Sequence, residues 1–397
     1  MLRCLTSGES HGPQLTAILS GVPAGLAVGA EAIDRDLKRR QGGYGRGGRM
    51  KIESDRVRIV SGVRHGRALG SPIALVVENK DWKNWSDIMD PAPNAEGQKK
   101  QITRPRPGHA DLAGMQKFNC DDARNVLERA SARATTMQVA IGAVCKGLLG
   151  EFGVKVISHV VNLGGIDVDV AGLSHDEIAE RAEASEVRVA DPRVEAKMKA
   201  LIDDCKKEGD TVGGIFEVVA TGVPVGLGNV MNWDEKLDGT IGRLFMSMQA
   251  IKGVEIGDGF GGARRRGSAV HDAIHFTSDP AELPPGHGPS GGFYRPTNRA
   301  GGLEGGMTNG EPVVVRVAKK PISTLMRPIA SVDVATREAF DSAKERSDVC
   351  ALPAAAVIGE ALLAYALARA FIEKFGGDSM DEVRRNFEGY LGSLEAR

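Results

Sequence analysis

The sequence predicts an α/β chain of the α+β type: a central layer of helices sandwiched between antiparallel β-sheets. Three observations predict it. Two long segments carry apolar residues at helical spacing, shorter segments are rich in β-branched residues, and the two kinds do not alternate as a doubly wound parallel sheet requires.

In chain order, "AEAIDRDLKRRQ" sets Ala32, Ile33 and Leu37 among charged residues, the pattern of an amphipathic helix. "MKIESDRVRIVSGV" alternates apolar and polar residues at Met50, Ile52, Val57 and Ile59 and reads as strand, as does "SPIALVVEN". A long helix is predicted from about Asp121, a natural N-cap, to Gly150, because Val126, Ala130, Ala134, Met137, Ile141, Val144 and Leu148 recur on one side. "KVISHVVNLGGIDV", "GGIFEVVATGVP" and "EPVVVRVAK" are strands bounded by glycine and proline turns. Residues 172–209, rich in Glu, Lys and Ala, read as exposed helices, a surface insertion on a single domain spanning 1–397. The second long helix starts at Pro353 and stops at Gly376 and Gly377; apolar on nearly every face, it should be buried. Glu360 and Arg369 interrupt it too soon for a membrane span, so no membrane partner is expected.

Lys and Arg (51) nearly balance Asp and Glu (52), which disfavours a broadly basic, nucleic-acid-binding surface and confines any anion site to local clusters. The five cysteines lack C-x-x-C spacing, and "MLRCLTSGESHG" has no signal-like apolar region. A cytoplasmic protein with reduced thiols and no metal site is expected. "HDAIH" at 271–275 lacks the glutamate of a zinc helix.

The densest cationic cluster is "RRQGGYGRGGRMKIE", residues 39–53. Gly43, Gly45 and Gly48 spell G-x-G-x-x-G, but helix precedes and strand follows, the reverse of the dinucleotide-binding order. Its arginines therefore carry the meaning. His11 in "SGESHG" and His109 in "RPRPGHADL" lie in glycine or proline turns, where a histidine is either a surface turn residue or a proton carrier. Proline on both sides of Arg106 reduces the entropy lost when its guanidinium binds an anion. Arg129 and Arg133, four apart, share a helix face and suit either surface ion pairs with Glu128 or Asp122 or an anion. "AKKPISTL" offers lysine and hydroxyls to a phosphate; Arg346 and Asp348 precede the buried helix as a capping pair or site residues. Together these point to an enzyme acting on a small, multiply charged anion.

"GESHG", "RRQGGYGRGGRMKIE", "RPGHADL", "LERASARATTM", "GVEIGDGF", "GGLEGGMTNG", "KKPIST" and "RSDVCALPA" follow one another from residue 8 to residue 354, and in this set the sequence resembles the chorismate synthase family. The resemblance implies a lyase that converts 5-enolpyruvylshikimate 3-phosphate to chorismate by 1,4-anti elimination with reduced FMN, folded as helices between antiparallel sheets and assembled as a homotetramer. It implies that His11 protonates the leaving phosphate, that His109 works beside the reduced flavin and that Asp348 takes a proton through flavin N5. Substrate contacts would come from Arg46, Arg49, Arg106 and Arg133; NADPH, as a reductant of the flavin, would meet Arg40 and Arg46. FMN contacts would come from Arg129, Ala130, Ser131, Gln249, Ala250, Gly305, Lys320, Pro321, Ile322, Ser323, Thr324 and Arg346. Ala130 replaces a common serine, Gln249 an expected asparagine, and Ser347 stands where some members have histidine. A phosphometabolite sensor and a flavin reductase are the alternatives the arginines also allow.

Overall fold

The computed structural model describes residues 1–47, 54–93, 101–342 and 348–396. The first hairpin joins β1 (Arg3–Ser7) to β2 (Gln14–Ser20), with Leu15, Ala17 and Leu19 facing inward at period two. Helix α1 (Ala30–Gln41) follows, then β3 (Val57–Ser61) and β4 (Ile73–Glu78), and the strands pair antiparallel in the order β1–β2–β4–β3. On α1 the predicted Ile33 and Leu37 are buried, and so are Asp36 and Arg40, which share that face at i+3 spacing but whose charge assigns them to solvent.

The helix expected from Asp121 to Gly150 is not continuous. After α2 (Asp111–Phe118), the chain forms α3 (Arg124–Ala130), a tight turn at Ala132–Ala134, and α4 (Thr135–Gly150). Ser131 breaks it with an extended backbone (φ −61°, ψ 145°) and a hydroxyl that accepts the Arg133 N–H. This side-chain-to-backbone bond competes with the helical one. Asp121 is not the cap either: Asp122 Oδ1 accepts the N–H groups of Arg124 and Ile102. Arg129 and Arg133 consequently do not share a face.

The second half supplies β5 (Lys155–Leu163), β6 (Ile166–Asp167), α5 (His175–Ala184), α6 (Pro192–Glu208), β7 (Gly214–Thr221), α7 (Leu237–Met246), β8 (Ile251–Ile256) and β9 (Val313–Lys319). These five strands form one antiparallel sheet in the order β8–β9–β7–β5–β6. Helices α5 and α6 occupy the segment predicted to be helical, capped by Ser174 and Asp191, but they are anchored rather than loose: Ile178, Met198 and Ile202 are buried.

Helices α8 (Leu352–Phe375) and α9 (Met380–Glu395) complete the chain. Helix α8 packs against β5 and β7 on one side and α4 on the other, while α4 meets α1, β2 and β4. The predicted helical layer between two antiparallel sheets is therefore present. Apolar and long enough to cross a membrane, α8 has 89% of its most apolar window buried inside the protein. The α4–α8 crossing is close because Gly142 has no side chain; a Cβ there would lie 2.2 Å from that of Ala361.

One carboxylate is buried in this layer. Glu360, 1% exposed, accepts from Arg39 and Lys146 at Oε2 (2.7 and 2.8 Å) and from Arg39, Ser158 and Arg188 at Oε1 (2.9, 2.7 and 3.3 Å). Burial would raise its pKa, yet Lys146, Arg39 and Arg188 hold it well below the usual carboxylate range. Replacing Glu360 with Gln leaves three cations facing a neutral amide and should cost about 3–5 kcal/mol at pH 7. Because the folded-state pKa is depressed, the wild-type advantage is full above the unfolded value near ~4.5 and is lost as pH falls further. Urea unfolding of both proteins from pH 7 to pH 3 checks this; a gap that stays constant down to pH 3 contradicts it.

Candidate active site

His11 follows β1 in a turn fastened to α3. Its backbone N–H donates to Glu128 Oε2 at 2.9 Å, and its Nδ1 lies 2.9 and 3.1 Å from Oε2 and Oε1 of the same carboxylate. The imidazole stacks on Trp85, centroids 4.0 Å apart, and Arg124 donates to Glu128 Oε1 at 3.0 Å. Glu128 is buried; burial would raise its pKa, but His11 and Arg124 outweigh this and lower it. A carboxylate on Nδ1 fixes the tautomer and leaves Nε2 as the exchangeable nitrogen.

His109 repeats the arrangement from another loop. Its Nδ1 is 2.5 Å from Asp111 Oδ1, and Arg106 donates to Asp111 through Nε (2.8 Å), NH2 (3.1 Å) and its backbone N–H (3.1 Å). Asp111 is fully buried, and the bonds from His109 and Arg106 overcome its burial to hold it well below the ordinary carboxylate range. Arg106, predicted to meet substrate, spends much of its guanidinium on Asp111, with Thr324 Oγ1 3.5 Å away.

A third carboxylate gathers two more arginines. Buried Asp55 accepts from Arg133 NH1 at 2.6 Å and Arg40 NH1 at 3.4 Å; Arg40 also donates to Thr135 Oγ1 and the Ala132 carbonyl. Burial lowers the Arg40 pKa, with Asp55 opposing it. Asn79, at the end of β4, accepts from Arg133 Nε (2.9 Å) and donates to the Gly12 carbonyl (2.7 Å), tying the His11 turn to Arg133. Nearby, Arg46 NH1 is 2.8 Å from Asp348 Oδ2, whose Oδ1 accepts the Gly47 N–H. Buried Lys319 has its pKa lowered by burial and by Arg46, against the pull of Asp348.

The residues assigned to cofactor contacts fall into three groups. Lys320 N–H donates to the Ala250 carbonyl at 2.9 Å and its Nζ donates to the Gly108 carbonyl, so Lys320 links Ala250 to the His109 loop. Ser323 lies beside Gly108, Thr211 Oγ1 donates to the Ile322 carbonyl, and Pro321 packs by Gly213. Arg129 donates to the carbonyls of Thr6 and Gly8, and Ser131 Oγ donates to buried Ser10, so with Ala130 they stay on the His11 side. Gly305, in the 303–308 hairpin, packs on Val230. Arg49 and Arg346, and with them Ser347, lie outside the described residues. Among described residues no group of three metal-binding side chains occurs.

Sequence reasoning missed Glu128, Asp111, Asp55, Asn79 and Lys319. Asp111 was within reach, two residues beyond His109. Glu128 lies 117 residues from His11, and nothing in local spacing pairs them.

A mixed helix and sheet frame that presents two carboxylate-anchored histidines among several paired arginines is the frame of an enzyme. The chain belongs to the chorismate synthase family, whose model, described as chorismate synthase, matches residues 2–372. It is 57% identical over 396 residues to chorismate synthase of Geobacter metallireducens and 56% over 402 residues to that of Symbiobacterium thermophilum, covering 100% of each chain. A crystal structure of chorismate synthase matches with a TM-score of 0.79 and 42% identity, over 100% of this chain and 99% of that one. The protein is thus a lyase of the shikimate pathway, acting on a small molecule, and its family implies a reduced flavin.

Glu128→Gln preserves size and removes the charge behind His11. Turnover should fall about 10-fold or more with KM changed far less; steady-state kinetics showing an unaltered kcat would remove Glu128 from this role.

Proposed function

We propose that the chain converts 5-enolpyruvylshikimate 3-phosphate to chorismate and phosphate by 1,4-anti elimination with reduced FMN bound. The observation that carries this reading is the pair of histidines, each with Nδ1 against a buried carboxylate. In the reaction the C–O bond to phosphate and a ring C–H bond break, a second ring double bond forms, and no net redox change occurs. The phosphate needs a proton donor, the ring proton an acceptor, and the flavin a neighbour that holds its proton.

His11 Nε2 delivers a proton to the departing phosphate, and Glu128 stabilises the imidazolium that precedes transfer. His109, held by Asp111, keeps a proton beside the flavin. Asp348, gripped by Arg46 and the Gly47 N–H, is the carboxylate that accepts the ring proton. Arg46, Arg49, Arg106 and Arg133 meet the phosphate and two carboxylates, whose desolvation would otherwise be prohibitive. The chemistry that bound reduced FMN supplies is transient electron density to the ring as phosphate departs. Gln249, Ala250 and Lys320–Thr324 suit such a group: Gln249 Oε1 is buried without a hydrogen-bond partner, Ala250 holds the left-handed φ of 67°, and the lysine and hydroxyls match a phosphate.

NADPH as the flavin's reductant relies on Arg46, since Arg40 is buried on Asp55. The reading also takes the protein as a cytoplasmic homotetramer built of one domain per chain. A sensor or a flavin reductase has use for the arginines but not for two carboxylate–histidine pairs.

Under anaerobic conditions with reduced FMN, chorismate and phosphate should appear one to one. His11→Ala and His109→Ala should each slow this by roughly 100-fold. Wild-type protein that releases no phosphate, or two variants at near-normal rates, would contradict the assignment.

A further inference from the structure

The glycine–arginine loop is held from two sides. On one, the Tyr44 hydroxyl donates to both carboxylate oxygens of Asp203 on α6 (2.9 and 3.0 Å), and the Tyr44 N–H donates to the Glu186 carbonyl at 2.8 Å. Lys199, one turn earlier on α6, sits over the Tyr44 ring at 5.5 Å and is itself bonded to Glu186 and Glu195. On the other side, the Gly45 carbonyl accepts the Val349 N–H at 2.8 Å and the Gly47 N–H reaches Asp348 at 2.6 Å.

Between these anchors the chain has no room to shift. Gly45, at φ 85°, lies so close to both that a Cβ would be 2.9 Å from Ile202 of α6 and 3.1 Å from Cys350 Cβ. Tyr44 and Arg46 are two residues apart on this taut stretch, one side chain turned to α6 and the other to Asp348. The hydroxyl of Tyr44 has a raised pKa because of its bond to Asp203, in keeping with a phenol that stays a donor.

We propose that Tyr44 is a positioning residue: through Asp203 it latches the loop to α6 and so sets Arg46 against Asp348 and the substrate. The helical segment that sequence alone reads as surface decoration is in this account the outer wall of the active site. No contact between Tyr44 and substrate is needed. The effect on binding rests on the substrate role of Arg46 proposed above; the latch itself does not.

Two measurements separate these. Amide hydrogen exchange over residues 42–47, read without substrate, should quicken roughly tenfold in Tyr44→Phe and in Asp203→Ala, and stay near wild type in Asp203→Asn, whose amide oxygen still accepts the phenol proton. In turnover assays Tyr44→Phe should raise KM for the phosphorylated substrate roughly fivefold with a smaller change in kcat, and should add nothing in an Arg46→Ala background. Wild-type exchange in both Tyr44→Phe and Asp203→Ala overturns the latch. An effect of Tyr44→Phe that adds fully to that of Arg46→Ala overturns its action through Arg46. If wild-type enzyme itself fails to turn over while exchange responds as expected, the latch stands and the proposed reaction falls.

Discussion

Ion pairs between carboxylates, buried at Asp55, Asp111 and Glu128 and half-buried at Asp348, and the cationic side chains of the site are the interaction on which the rest of this structure depends. Asp55 holds Arg133 and Arg40, Asp111 holds Arg106 and His109, Glu128 holds His11 and Arg124, and Asp348 holds Arg46. Each carboxylate offsets the cost of keeping a cation out of water, and each also subtracts from the positive charge offered to an anion. A site built only for attraction would leave the carboxylates out. Their presence indicates that orientation is favoured over gross charge, as a polarised transition state requires.

The same device ties the site to its scaffold. Arg39 and Arg40 are neighbours at the end of α1, yet Arg39 joins Glu360 in the helical layer while Arg40 joins Asp55 at the site. Glu360 thereby couples α1, α4, β5 and α8, and the last turn of α1 transmits that rigidity to the arginine loop that begins immediately after it. The break at Ser131 serves a related end. With α3 and α4 separate, Arg129 reaches the strand before His11 while Arg133 turns inward to Asp55 and Asn79. An unbroken helix would have pointed both to one side.

Much of this was legible in the sequence, and the reasons for what was not are physical. Helix α8 is apolar on nearly every face and strands β4, β5, β7 and β9 are rich in β-branched residues, so burial and composition are one signal. The break at Ser131 left no such trace: alanine and arginine on both sides favour helix, and the competing hydroxyl bond is a single residue's effect. Asp36, Arg40 and Glu360 are charged residues buried with partners from other segments, Lys146, Asp55 and Arg39 in turn, which their own charge does not announce. For the site, motifs located the histidines, the arginines and Asp348, whereas the part that Asp55, Asp111 and Glu128 play in orienting them appeared only when the chain was folded.

Asp55→Asn decides between orientation and attraction, because it removes a negative charge beside Arg133 and Arg40 while keeping the side chain's size. Calorimetric titration of 5-enolpyruvylshikimate 3-phosphate into folded protein, wild type against variant, gives the answer directly. The account predicts binding weaker by about tenfold, the cost of guanidinium groups no longer held in place. Equal or tighter binding by the variant, as simple attraction demands of a more positive pocket, would contradict it.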